Sequence, residues 1–125
     1  MDLLPFFKSL IDQDRAPIVI CDTSHEIVYM NPAAVEHYYD GGGSLLVGRS
    51  VMDCHSARSS TMIAKVMEWF EADENNNIVH TFYSPKENKD VYMVALRDEG
   101  RLIGYYEKHE SRNVDSGDRY QGIKG

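Results

Sequence analysis

The 125-residue chain has few cysteines, no long apolar run and no secretory leader, and each absence excludes a class of protein. Cys21 and Cys54 are its only cysteines and form no CxxC motif, so a disulfide scaffold is excluded and reduced, buried thiols are expected. No stretch approaches the roughly 20 apolar residues that cross a bilayer. The N-terminus lacks the basic segment and cleavage site of a signal peptide. These features predict a cytoplasmic protein without a membrane partner.

Positive charge is also scarce, because the formal net charge is −7 and lysine and arginine form no cluster. Nucleic acid is therefore not an expected partner. The histidines are scattered with no pair at the helical spacing that binds zinc: His25, His37, His55, His80 and His109. The glycine run 41–43 is not followed by the GK[ST] of a phosphate-binding loop. With 42% hydrophobic and 26% charged residues, the chain is expected to fold as one domain.

The first half of the chain shows one amphipathic helix and an antiparallel strand pair. Residues 3–11 place their apolar side chains on one side of a helix, which needs burial on this domain or on a second copy. The β-branched stretches 16–22 and 26–31 flank a turn and predict two paired strands. Asn31 and Pro32 then predict the N-cap and first residue of a short helix.

The second half predicts one long helix followed by a three-stranded meander. Residues 56–72 carry a wide apolar face, and Met62, Val66 and Trp69 recur at i, i+4 and i+7, so they are expected to face a sheet. Strand-like runs then occupy 78–84, 90–97 and 102–109, with short connections that are rich in turn residues. Aromatic residues fall on both faces of these strands. One set is expected to line the core or a pocket, and the other to form an outer face suited to an interface.

This order of elements over residues 16–110 resembles the PAS domain. The matching stretches are PIVICDTSHEIVYMNPAA, LVGRSVMD and RDEGRLIGYYE. LLVGRSVMDCHSARS is similar to a bacterial subgroup with an Asp-Cys-His triplet ahead of the long helix. The resemblance implies an α+β fold, with a five-stranded antiparallel sheet and helices packed on one face. An N-terminal amphipathic helix (1–13) and a flexible tail (111–125) complete the expected organisation.

The resemblance also implies a function. PAS domains are sensory or interaction modules with an internal pocket between the sheet and the long helix, sometimes filled by haem, flavin or a metabolite, and they tend to dimerise through an N-terminal helix. A sensory or regulatory module is therefore expected, which binds a small ligand or a protein partner and signals through altered contacts. A homodimer through residues 3–11 and the outer sheet face is predicted. Because 125 residues leave no room for an output domain, the output is expected from a separate protein.

The stretch VMDCHSAR, residues 51–58, admits three interpretations. Asp53, Ser56 and the His55 ring suit the free N–H groups at the start of the long helix. Alternatively, His55 and Arg58 contact a ligand in the pocket, or His55 is the axial metal ligand of a haem. The candidate ligand-binding residues are then His55, Arg58, Met62 and Val66.

Catalysis is not expected from this stretch. Cys54 beside His55 suggests a nucleophile and its base, but adjacent residues on a turn point in different directions. The alternatives that remain are a small enzyme or redox sensor that uses Asp53, Cys54 and His55, and a ligand-free dimerisation scaffold. The Asn-Cys-Arg motif of flavin photoreceptors is absent from the sequence.

Overall fold

The computed structural model describes residues 1–123, which form one five-stranded antiparallel sheet and three α-helices. The helices are α1 (Leu4–Asp12), α2 (Pro32–His37) and α3 (Ala57–Ala72). The strands are β1 (Val19–Asp22), β2 (Ile27–Met30), β3 (Ile78–Ser84), β4 (Lys89–Asp98) and β5 (Arg101–Ser111). Single 3₁₀ turns occupy Tyr39–Gly41, Gly43–Leu46, Val51–Cys54 and Arg119–Gly122. The predicted α+β class and element order are confirmed, while the expected loop at 40–44 is built largely from two 3₁₀ turns. No helix in residues 1–123 is long and apolar enough to cross a membrane.

The strands lie in the order β2-β1-β5-β4-β3, so the last strand pairs with the first. The β4–β5 hairpin closes at Glu99 and Gly100, whose φ angles of 50° and 83° suit a tight two-residue turn. Tyr105 pairs with Cys21 on one side and Ala95 on the other. Because paired residues share a face, this register aligns the inward-facing side chains of the three central strands.

The core lies between one sheet face and α3, but α3 turns a different stripe inward from the one predicted. Ile63, Met67 and Phe70 are buried, whereas Met62 is 52% exposed and Trp69 is 40% exposed. The prediction that Met62 and Trp69 face the sheet is therefore wrong. A shift of one residue rotates a helix by about 100°, so two neighbouring apolar stripes compete for the same sheet. The buried stripe contains Phe70, which has no polar atom, while the partly exposed Trp69 keeps its indole near solvent.

Asn31 joins three parts of the fold through one buried side chain. Its Oδ1 accepts hydrogen bonds from the N–H groups of Ala34 and Ile18, each at 2.9 Å. Its Nδ2 donates to the carbonyls of Ile11 and Ala16, each at 3.0 Å. The predicted N-cap of α2 is confirmed, and the same side chain also fixes the end of α1 against the start of β1.

Gly104 is required where β5 runs beside β1. A Cβ atom at this position would lie 2.2 Å from the carbonyl oxygen of Cys21. No real side chain tolerates that distance from a backbone atom, so only glycine allows the two strands to approach.

Helix α1 is hydrogen-bonded to the rest of the domain through its C-terminal end. The Tyr29 hydroxyl donates to the Asp12 carboxylate, and the Ile11 carbonyl accepts from Asn31. The apolar side chains of its N-terminal turns are exposed, with Phe6 61% and Leu10 72% accessible. The predicted helix is confirmed, and its apolar face is left without cover by this domain.

The ordered sheet extends past the predicted start of the tail. Strand β5 includes Ser111, and the Arg112 guanidinium forms two hydrogen bonds with the Asp90 carboxylate, at 2.7 and 2.8 Å. The Arg112 guanidinium also lies 4.1 Å from the centre of the Tyr83 ring. The last two residues of the predicted tail, 124–125, lie outside the described residues.

Candidate functional site

A cavity of about 280 Å³ lies between the inner sheet face and the helices. Its wall is mostly apolar and includes Ile27, Met30, Leu46, Val51 and Ile63. A larger depression of about 470 Å³ is formed by the C-terminal segment 115–123 alone. Because the sheet contributes no wall to that depression, the enclosed cavity beneath the sheet is the candidate ligand site.

Cys21 and Tyr105 place polar atoms on the sheet side of the cavity. Burial raises the pKa of the Cys21 thiol to about 11, and burial also raises the pKa of Tyr105. Both groups are therefore neutral near neutral pH. The Tyr105 hydroxyl lies 2.9 Å from Nδ1 of His25, which has the left-handed φ of 68° in the β1–β2 turn. The deep end of the cavity thus offers hydrogen-bonding groups without net charge.

His55 lies at the solvent side of the cavity, which it lines although its side chain is exposed. Its Nδ1 lies 2.7 Å from the carbonyl oxygen of Val51. A carbonyl only accepts, so Nδ1 carries the proton and the neutral ring keeps a lone pair on Nε2. The ring therefore does not satisfy free N–H groups of α3, as one interpretation of the sequence expected. Ser56 alone has that role, since its hydroxyl accepts from the N–H of Ser59.

The other three predicted ligand-binding residues lie away from the cavity wall. Arg58 and Met62 are exposed on α3, and Val66 packs against the core without reaching the cavity. Met62 and Val66 do not line this cavity, because α3 is rotated and Ile63 takes that position. Arg58 falls in the first turn of α3 and does not line the cavity either.

Asp53 and Cys54 occupy the 3₁₀ turn before α3, and both are exposed. Both cysteines are free thiols, but only Cys21 is buried, so the expectation of burial was wrong for Cys54. Since the 3₁₀ turn ends at Cys54, that side chain lies at the mouth of the cavity beside His55. Within residues 1–123 no hydrogen bond joins the Cys54 thiol to the His55 ring, whose Nδ1–H is donated to Val51.

Tyr38 and Glu107 complete the wall, and sequence reasoning did not select either of them. Burial, followed by the negative charges of Glu107 and Glu87, raises the pKa of Tyr38 to about 12. Glu107 occupies an inward position on β5, two residues after the buried Tyr105. A charged residue at an inward strand position was the signal that could have revealed it. Within residues 1–123, no three His, Cys, Asp or Glu side chains are grouped to hold a metal ion.

Comparison with known proteins identifies the fold. No family model matches the sequence, and no curated protein matches it. The PAS domain of a protein from Colwellia psychrerythraea superposes with a TM-score of 0.63 at 18% identity, covering 88% of this chain and 97% of that one. The PAS domain of Bordetella pertussis BvgS gives 0.62 at 15% identity, covering 93% and 90%. A C-terminal domain from Streptococcus mutans gives 0.61 at 20% identity, covering 84% and 81%.

These likenesses extend over most of each chain, so this protein has the PAS fold, as the sequence predicted. The identities are low, and the likeness concerns the fold alone. The bacterial subgroup with the Asp-Cys-His triplet stays a prediction.

Proposed function

We propose that this chain is a sensory or regulatory PAS module that binds a small molecule in the cavity beneath its sheet. The observation that carries the proposal is the cavity itself, about 280 Å³ in volume, with an apolar wall and a few polar groups. Such a combination is typical of small-ligand sites, where apolar contact supplies affinity and placed polar groups fix orientation. The two free cysteines accord with a reducing, cytoplasmic setting.

Haem does not fit this cavity. The lone pair on Nε2 of His55 suits an iron ligand, but within residues 1–123 the wall contains no lysine or arginine to pair with the two propionates. It contains Glu107, whose carboxylate would repel them. The cavity of about 280 Å³ also lies just below the roughly 300–1,000 Å³ of pockets for drug-sized ligands, which leaves little room for a porphyrin. A colourless ligand smaller than haem is the better candidate.

We propose no catalytic role for Asp53, Cys54 and His55. Activation of Cys54 would need its thiol within hydrogen-bond reach of an imidazole nitrogen, and no hydrogen bond in residues 1–123 joins Cys54 to His55, whose Nδ1–H is engaged with Val51. Because Cys54 is exposed, oxidation of its thiol is an alternative signal. Retention of ligand binding in Cys54→Ser would separate ligand sensing from thiol sensing.

We further propose that the module forms a homodimer through α1 and passes its signal to a separate protein. The uncovered side chains of Phe6, Phe7 and Leu10 support this, because burying each of them would stabilise the assembly by about 1.5–3 kcal/mol. A second copy supplies an identical face and closes the assembly by two-fold symmetry.

Native mass spectrometry of the purified chain, with an absorption spectrum, tests the ligand proposal. We expect a bound small molecule and no Soret band. Ile63→Phe narrows the cavity and should reduce the bound fraction, whereas Met62→Phe, one residue away on an exposed position, should not. Equal occupancy in both variants, or a parent chain without any ligand, would refute binding in this cavity.

A further inference from the structure

Among the described residues, Glu107 is the one acidic side chain on the cavity wall. Its side chain is 31% exposed, and its ionic neighbour within the described residues is Nε2 of His109, at 3.8 Å from Oε2. No lysine or arginine in residues 1–123 lines the cavity. A carboxylate next to an apolar space loses part of its hydration, and the 3.8 Å to His109 is too long for a hydrogen bond that would replace it.

Two tyrosine rings share the wall with this carboxylate. Tyr38 and Tyr105 both line the cavity, and each aromatic face carries the negative potential that attracts cations. Since both hydroxyls stay protonated near neutral pH, they also provide neutral donor and acceptor groups. The two rings and the carboxylate therefore all favour a positively charged ligand.

His109 is the neighbour of Glu107 on the side away from the cavity. Its side chain is 8% exposed, and its Nδ1 is buried without a hydrogen-bond partner among the described residues. The His37 ring lies 6.1 Å away, and Lys89 near it is already paired with Glu87 at 2.5 Å. No lysine or arginine among the described residues is paired with Glu107, which remains available to the cavity.

Resting on the ligand-binding function proposed above, we propose that the ligand is a small, mainly apolar amine whose ammonium group pairs with Glu107 and contacts the rings of Tyr38 and Tyr105. An anionic ligand would meet a carboxylate with no basic partner on the wall. A purely apolar ligand would remove water from Glu107 without replacing its hydrogen bonds. The small cavity limits the apolar part to about one ring or a short branched chain.

Three probes of matched size test the charge preference: benzylamine, benzyl alcohol and benzoate. Their affinities for the full chain, freed of any co-purified ligand, are measured by calorimetry at about pH 8, where histidine is ordinarily neutral. We expect benzylamine to bind at least about tenfold tighter than the other two. Glu107→Gln should abolish the preference. Glu110→Gln should retain it, because Glu110 lies on the same strand but pairs with Lys108 at 2.7 Å outside the cavity.

Benzyl alcohol or benzoate binding as tightly as benzylamine would overturn the amine assignment, and so would an unchanged preference in Glu107→Gln or the absence of binding by all three probes. The proposed function would survive each of these results if native mass spectrometry finds a ligand that Ile63→Phe excludes. Both proposals fail together if the chain binds no probe and carries no co-purified ligand.

Discussion

The orientation of α3 can be tested with two methionines of the same helix. Met67 is 6% exposed and Met62 is 52% exposed. Replacing a buried methionine by alanine removes its packing and leaves a cavity, so Met67→Ala should lower the free energy of unfolding by about 2–5 kcal/mol. Met62→Ala leaves no enclosed cavity and introduces a better helix former, so its cost should stay within about 1 kcal/mol.

Urea unfolding followed by circular dichroism measures both variants, with all samples at one chain concentration because a dimer would make stability depend on it. With a slope of about 1–3 kcal/mol per molar urea, Met67→Ala should lower the midpoint by about 0.7 M or more, at an unchanged slope. The sequence pattern of Met62, Val66 and Trp69 predicts the opposite order of the two variants. A larger loss in Met62→Ala than in Met67→Ala would therefore refute the observed orientation of the helix.

Three further outcomes follow from separate features. Gly104→Ala should cost about 3 kcal/mol or more in the same urea experiment, since its Cβ would meet the Cys21 carbonyl at 2.2 Å, and a near-neutral result would contradict the close strand pairing. The Arg112 guanidinium, with His80 also near, holds the pKa of Asp90 below its ordinary value. The ionised carboxylate therefore stabilises the fold above about pH 4, and this stabilisation is lost as the pH falls through the lowered pKa. Asp90→Asn should be less stable than the parent at neutral pH, and a stability difference that persists undiminished in strong acid would contradict this. Deleting residues 1–13, or replacing both Phe6 and Leu10 by serine, should give monomers in light scattering, and an unchanged mass would refute dimerisation through α1.

The elements that the sequence predicted well depend on local signals. The Asn31-Pro32 pair begins a helix because its side-chain oxygen and fixed φ act within one turn. Ser56 begins α3 for the same reason, and the meander of β3–β5 follows from short connections. The direction that α3 faces depends instead on which stripe fits the sheet. Sequence periodicity cannot decide between two apolar stripes one residue apart.

The candidate site was only partly predictable for a related reason. His55 was found because it stands beside the start of α3 and therefore near the space that the helix covers. Glu107 and Tyr105 reach the same space only through the register of β5 against β1, in which Tyr105 pairs with Cys21. That register depends on Gly104 and on contacts between distant parts of the chain, which no local pattern reports.

The residues that break local rules are joined to one another around the cavity. The Tyr105 hydroxyl lies 2.9 Å from Nδ1 of His25, the carbonyl of His25 accepts from the N–H of Val51 at 2.8 Å, and the carbonyl of Val51 accepts from Nδ1 of His55 at 2.7 Å. These bonds link the deep wall to the mouth. The left-handed φ of His25 costs a non-glycine residue about 1–3 kcal/mol and persists only where surrounding contacts hold it. Contacts on both sides of His25 therefore maintain a strained turn that connects two residues of the cavity wall, Tyr105 and His55.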